Sequence, residues 1–217
     1  MSAMPDAFTA SKLPIDEIDN GCSILRTGED TDALKTVFSC LVAADEDERS
    51  IVLATNAGGR AVQRTLNEAR DGAGSRSSIL TAQGPARGDQ VSVIDDIGDL
   101  TQIGMQFSNL VAASQQSATR FRSGIFLCST IVSEVEDTRS VYRFINSNFL
   151  TDLRRGDGIG VVAFDRSADI NTDVDSVIKG MGISFSASVE VEKTGRNQAT
   201  VDVSEISESD GTVDISL

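Results

Sequence analysis

Residues 21–36, GCSILRTGEDTDALKT, hold the side chains whose types and order come nearest to phosphate chemistry. A short apolar strand, Cys22 to Leu25, leads through Gly28 into an amphipathic helix that carries Lys35-Thr36. Strand, glycine turn and helix N-terminus is the layout of a phosphate-binding loop. In such a loop backbone N–H groups wrap the phosphates, a lysine reaches their oxygens and a hydroxyl holds Mg²⁺. The pattern G-x-x-x-x-G-K-[ST] is incomplete here. Ala33 and Leu34 precede Lys35 where the second glycine belongs, and the lysine falls one residue late. Glu29, Asp30 and Asp32 bring negative charge to the turn where anionic phosphates would sit. Gly28, Lys35 and Thr36 are the candidate cofactor-binding residues of a vestigial loop. ATP is the cofactor such a loop would take, and the carboxylates argue that none is bound.

The net charge of −14 frames every other reading. Lysine occurs only at Lys12, Lys35, Lys179 and Lys193, so arginine supplies 15 of the 19 basic residues. Scarce lysine, abundant aspartate and no tryptophan point to adaptation to concentrated salt, where self-repulsion is screened over about 3 Å at 1 M. Such a surface repels nucleic acid and anionic membranes. Arg120, Arg122, Arg139, Arg143, Arg154 and Arg155 read as a local arginine stripe that keeps a nucleic-acid reading in view. With no histidine, zinc sites of mixed ligation and imidazole acid–base catalysis are excluded. Cys22, Cys40 and Cys128 lie in apolar runs and read as small buried hydrophobes. No apolar run approaches about 18 residues, and the N-terminus has no charged-then-apolar signal, so a cytoplasmic location is expected.

The elements that would position these residues alternate. Strands are predicted over 22–27, 50–55, 77–82, 91–95, 124–129 and 158–164, the continuous apolar runs of a buried parallel sheet. Between them, helices are predicted over 30–43, capped by Asp30, Thr31 or Asp32, then over 59–70, from Asp99 onward, and over 137–155. A short helix over 172–181 closes at Gly182. Residues 183–193, 198–203 and 212–217 alternate apolar and polar, with turn signals at Thr194-Gly195 and Asp210-Gly211, so the chain finishes as an antiparallel meander. Residues 1–20 form an N-terminal arm, either flexible or docked as a short edge segment, and residues 21–217 form the domain. The fold class is α/β: a three-layer sandwich with a mostly parallel sheet flanked by helices and antiparallel C-terminal strands. Ligands in such sheets bind at the carboxyl ends of the strands, here Thr27-Gly28, Thr55-Asn56, Asp95-Asp96, Ser129-Thr130 and Asp165-Arg166. The Asp95, Asp96 and Asp99 group admits either a metal reading or a helix cap. Asp165-Arg166 admits an ion pair or a plain turn.

Three stretches, GCSILRTG, DLTQIGMQFSNLV and GIFLCSTIVSEVEDTRSVYRFINSNFLTDLRRGDGIGVVAFD, resemble the RecA superfamily, and within it a haloarchaeal KaiC-like family of unknown function. The resemblance spans roughly residues 20–195 and implies a RecA-like fold, a nucleoside triphosphate ancestry and side-by-side assembly. It also implies degenerate Walker motifs. The aspartate that should end the central strand is matched by Cys128, and the catalytic glutamate after the second strand is matched near Thr55-Asn56. A thiol is a poor ligand for Mg²⁺. The expectation is therefore a non-catalytic domain acting as a regulatory or scaffolding protein through a protein partner or self-association. The alternatives are a nucleotide binder or weak ATPase with an atypical loop, and a nucleic-acid-associated relative.

Overall fold

A computed structural model of the chain describes residues 7–13, 15, 17–86, 88–206 and 211–217. The strands are β1 (Ser23–Gly28), β2 (Glu48–Ala54), β3 (Ser77–Thr81), β4 (Val91–Val93), β5 (Arg120–Phe126), β6 (Asp157–Asp165), β7 (Ala187–Gly195), β8 (Gln198–Ser204) and β9 (Gly211–Ser216). The helices are α1 (Thr31–Val42), α2 (Gly59–Ala69), α3 (Leu100–Gln115), α4 (Cys128–Glu134), α5 (Thr138–Phe144), α6 (Leu150–Arg155) and α7 (Val174–Gly182). A single sheet runs in the order β4-β3-β2-β5-β6-β1-β7-β8-β9. Every pairing from β4 to β7 is parallel, and β7-β8-β9 is the antiparallel meander. The three-layer α/β sandwich with antiparallel C-terminal strands is the architecture expected from the alternating patterns.

Because strand side chains alternate between faces, each central strand feeds two cores. Ile24, Val52, Ala54, Val161 and Ala163 join α1, α2 and the arm on one face. Leu25, Ile51, Leu53, Val162 and Phe164 join α3 to α7 on the other. Helix α1 lies close over the sheet because β5 carries a glycine beneath it. A Cβ on Gly124 would sit 2.5 Å from the Phe38 ring.

Three local readings need correction. The strand predicted over 124–129 is β5, which ends at Phe126, and Ser129-Thr130 lie inside α4. A short apolar run does not distinguish a buried strand from a buried helix. β5 also begins earlier, at Arg120, since Arg122 is a charged residue placed in the interior. The strand predicted over 91–95 ends at Val93, which puts Asp95 and Asp96 in the following loop. The helix predicted over 137–155 is interrupted by a π turn at Ile145–Phe149 between α5 and α6.

The described residues of the arm are docked. Phe8 and Ile18 form an antiparallel bridge, and both join the α1-side core with Ala10, Leu13 and Ile15. Ser11 N–H donates to Cys40 C=O at 3.0 Å, and Lys12 Nζ donates to Glu68 C=O at 2.6 Å. Pro5 and Pro14 in the arm, and Asp210 of the last turn signal, lie outside the described residues. Among the described residues no helix is long and apolar enough to cross a membrane.

One buried charge in the α1-side core has its partner. Arg122, with no solvent exposure, donates Nε to Glu48 Oε2 at 2.5 Å, Nη2 to Glu48 Oε1 at 3.3 Å and Nη1 to Leu41 C=O at 2.8 Å. The ring of Phe8 covers this pair, with the neighbouring Arg120 guanidinium 3.9 Å from the ring centroid. Burial lowers the Arg122 pKa, and Glu48 opposes that effect. Removing the anion from such a pair leaves a buried unpaired charge, at a cost of about 3–5 kcal/mol. Glu48→Gln is therefore expected to destabilise the protein by about 3–5 kcal/mol, read as a lower denaturation midpoint at unchanged m in molar salt. Gly124→Ala is expected to cost about 1–3 kcal/mol through overpacking against Phe38, read in the same assay.

Candidate functional site

The carboxyl ends of β1, β6 and β7 meet where a phosphate loop would lie. Only Glu29 and Asp30 separate the end of β1 from the start of α1. Two residues cannot wrap a phosphate chain with successive N–H groups. Helix α1 begins there because Asp30 caps it. Its Oδ1 accepts the Ala33 N–H at 2.9 Å, which satisfies one of the free donors of the first turn. The other oxygen, Oδ2, accepts from Lys193 Nζ on β7 at 2.8 Å. These two contacts, the lysine first, hold the Asp30 carboxyl below its ordinary value of 3.8. A carboxylate of the chain itself thus occupies the positive end of the helix, with its own cation.

The three predicted loop residues do not converge. Gly28 is the last residue of β1, and its C=O accepts the Arg166 N–H at 2.8 Å. A Cβ there would lie 2.7 Å from Val191 C=O and 3.2 Å from Leu34, so glycine is required by close packing of β7 and α1. Lys35 is in the second turn of α1 and borders a narrow apolar crevice of about 30 Å³ against α2, with Phe38, Ala61 and Leu66. Thr36 spends its hydroxyl on the Asp32 C=O of the same helix, at 3.0 Å.

An open cleft of about 490 Å³ lies beside Asp30, above the sheet end. Its carboxylates are Glu29, Asp30, Glu190, Glu192 and Asp202, and its cations are Arg166 and Lys193. Both cations are engaged: Lys193 by Asp30, and Arg166 by Glu190 and by Asp175 at 3.0 Å. The field in the cleft therefore opposes a polyanion.

Asp165 ends β6 as expected, but it does not pair with Arg166. Its Oδ2 accepts from Thr31 Oγ1 at 3.1 Å, and its Oδ1 accepts the Ser167 N–H at 2.9 Å and the Ser167 hydroxyl at 2.6 Å. It fastens the first residue of α1 to the end of β6. Thr55 plays the matching part at the end of β2. Its hydroxyl donates to Leu127 C=O at 3.1 Å and accepts the Leu127 N–H at 2.9 Å. Cys128 is the first residue of α4, fully buried, and burial pushes its thiol up to about 12. Asp99 caps α3 by accepting from Thr101 and Gln102 N–H, and Asp96 accepts from Gly98 N–H at 2.8 Å. Among the described residues no cluster of three or more Asp, Glu or Cys is disposed to hold a metal ion. The arginine stripe is divided: Arg122 is in the core, Arg120 lies over Phe8, and the others belong to α5 and α6. Sequence reasoning missed Lys193, which stands far along the chain in a strand of alternating polarity; its only signal is the scarcity of lysine.

Three solved structures share this architecture. The KaiC-like protein PH0186 from Pyrococcus horikoshii OT3 superposes with a TM-score of 0.64 at 11% identity, over 96% of this chain and 94% of that one. The protein PH0321 from Pyrococcus horikoshii, solved in complex with an unknown peptide, gives 0.63 at 11% identity, over 88% and 86%. PH0250 from Pyrococcus horikoshii OT3 gives 0.58 at 10% identity, over 88% and 89%. At these identities the likeness establishes a RecA/KaiC-like fold. No curated protein matches the sequence. Residues 21–191 match a protein family described as "Family of unknown function (DUF7504)", and the chain belongs to that family.

Proposed function

We propose that this chain is a non-catalytic RecA/KaiC-like domain that serves as a regulatory or scaffolding protein through protein–protein contacts. The observation that carries the proposal is the Asp30 carboxylate, seated on the Ala33 N–H and bridged to Lys193 where a bound phosphate would need both donors. Phosphoryl transfer depends on positioning and charge stabilisation. Here the turn is two residues long, Thr55 is spent on backbone clamping, and Cys128, which the family resemblance matches to the metal-binding carboxylate, is a thiol buried at the start of α4. On this reading the Walker A and B elements are degenerate descendants of working ones. A peptide-bound relative, PH0321, supports protein contact as a use of the fold. The charge of −14 and the rarity of lysine support adaptation to concentrated salt; an archaeal host and a cytoplasmic setting complete this reading.

A nucleotide-binding reading rests on the fold itself, which is of nucleotide-binding type. Calorimetric titration with Mg²⁺ and ATP in molar salt separates the two. No saturable heat up to millimolar nucleotide is the expected result, and micromolar binding would overturn the proposal. The cap has a second signature. Because Asp30 has a lowered pKa in the folded chain, its contribution is complete above the ordinary carboxylate range and is lost as pH falls through the lowered value. Asp30→Ala is expected to cost about 0.5–2 kcal/mol at neutral pH and to flatten that part of the acid unfolding profile, measured by thermal melts between pH 7 and pH 2.

A further inference from the structure

The two edges of the sheet are built differently. At one, β4 is three residues long, and so short an edge strand offers little to pair with. At the other, β9 runs for six residues without lysine, arginine, proline or bulge, the usual guards of an exposed edge. Among the described residues no strand pairs with the outer side of β9. The Leu217 N–H is given inward, to the C=O of Asn197 just before β8, at 3.0 Å. Antiparallel bonding alternates along a strand, so Thr212, Asp214 and Ser216 direct their backbone N–H and C=O groups outward. Val213 and Ile215 sit opposite Val201 and Ala199, which are buried. Val213, Ile215 and Leu217 are themselves half-buried, since β8 flanks them on one side alone.

We infer that β9 is a self-pairing edge: two copies of this chain join antiparallel, β9 to β9, about a twofold axis at Ile215, and continue the sheet. The residues choose the register. Centring on Ile215 sets Ile215 against its own copy and Val213 against Leu217 of the second copy, on both sides of the axis. These are the non-hydrogen-bonded positions, where side chains of two strands approach most closely, so each half-buried apolar row covers the other. Asp214 then lies opposite Ser216 of the second copy, whose hydroxyl can donate to the carboxylate. Centring on Asp214 instead would set two carboxylates face to face, which destabilises a strand pair. Charge selects the same occupant. The chain carries −14, yet residues 211–217 hold one charged side chain, Asp214, so two such molecules approach here with little repulsion. A strand with a run of charge would find no answering row. An isologous contact of this kind closes at the dimer. The inference gives the protein–protein contacts proposed above a partner and rests on that reading.

Cross-linking and mass test it in molar salt. Cys22, Cys40 and Cys128 are buried, so an introduced thiol reports alone. Under mild oxidation Ile215→Cys is expected to give a disulfide-linked dimer, while Met105→Cys, at an exposed position of α3, stays a monomer. Light scattering of the wild-type chain is expected to give twice the chain mass. Ser216→Pro removes an outward N–H and no bond to β8, and is expected to return the mass to that of one chain. A wild-type chain that stays monomeric at crystallisation concentration, equal linking at both cysteine positions, or a Ser216→Pro chain that keeps the doubled mass would overturn the inference. If Ser216→Pro does not fold, the two cysteine variants decide. The inference and the reading above fail separately. A monomer that binds no nucleotide removes this edge contact alone, and a dimer linked through Ile215→Cys that binds Mg²⁺ and ATP removes the earlier reading and keeps the contact.

Discussion

The two-residue turn between β1 and α1 is the constraint on which the rest of this structure depends. A helix that starts so soon after its strand must satisfy its first N–H groups at once, and Asp30 does so with its own side chain. The same carboxylate then needs a cation, which Lys193 supplies from β7 across 163 residues of sequence. Asp165 adds a second fastening through the Thr31 hydroxyl, and Gly28 lets β7 and α1 close over the turn. Positive potential at a helix N-terminus is what a phosphate loop exploits. In this chain that potential is consumed within the protein.

Helix α1 is also the element under which the interior charge is stored. Its inner face is apolar through Leu34, Val37, Phe38 and Leu41, yet its backbone carbonyls at Ala33 and Leu41 receive two buried arginines, Arg26 and Arg122. The docked arm completes this face, with Phe8 over the Arg122–Glu48 pair. Hydrophobic burial holds the layer together, and the charged groups fix how α1 lies on it. A buried unpaired charge costs several kcal/mol, so these residues tolerate few alternative packings.

Much of this architecture is legible from residue patterns. Period-two alternation marks β7, β8 and β9, and continuous apolar runs mark β1, β2, β3 and β6. Asp30 and Asp99 are readable as caps, because a short acidic side chain before an apolar-periodic segment has that job. The illegible parts share one physical reason: they depend on what lies across space. Arg26 and Arg122 look like surface residues until the sheet buries them. Cys128 looks like a strand residue because an apolar run carries no mark of where extended backbone gives way to helix. The π turn at Ile145–Phe149 adds one residue within an otherwise helical run, and no residue type there announces it. Gly28 reads as a loop glycine, whereas its need for glycine comes from Val191 and Leu34. The pairing of Asp30 with Lys193 is invisible because no local spacing encodes a contact between a turn and a distant strand.

The central claim is that the anion position at the start of α1 is filled by the protein's own carboxylate. Its most direct test is a crystal structure of the protein grown with Mg²⁺ and a non-hydrolysable triphosphate. The account predicts Asp30 still seated on the Ala33 N–H and bridged to Lys193, with no nucleotide density at the β1–α1 turn. A triphosphate lying over that turn, with Lys193 or Lys35 turned to its oxygens and Asp30 displaced, would contradict it.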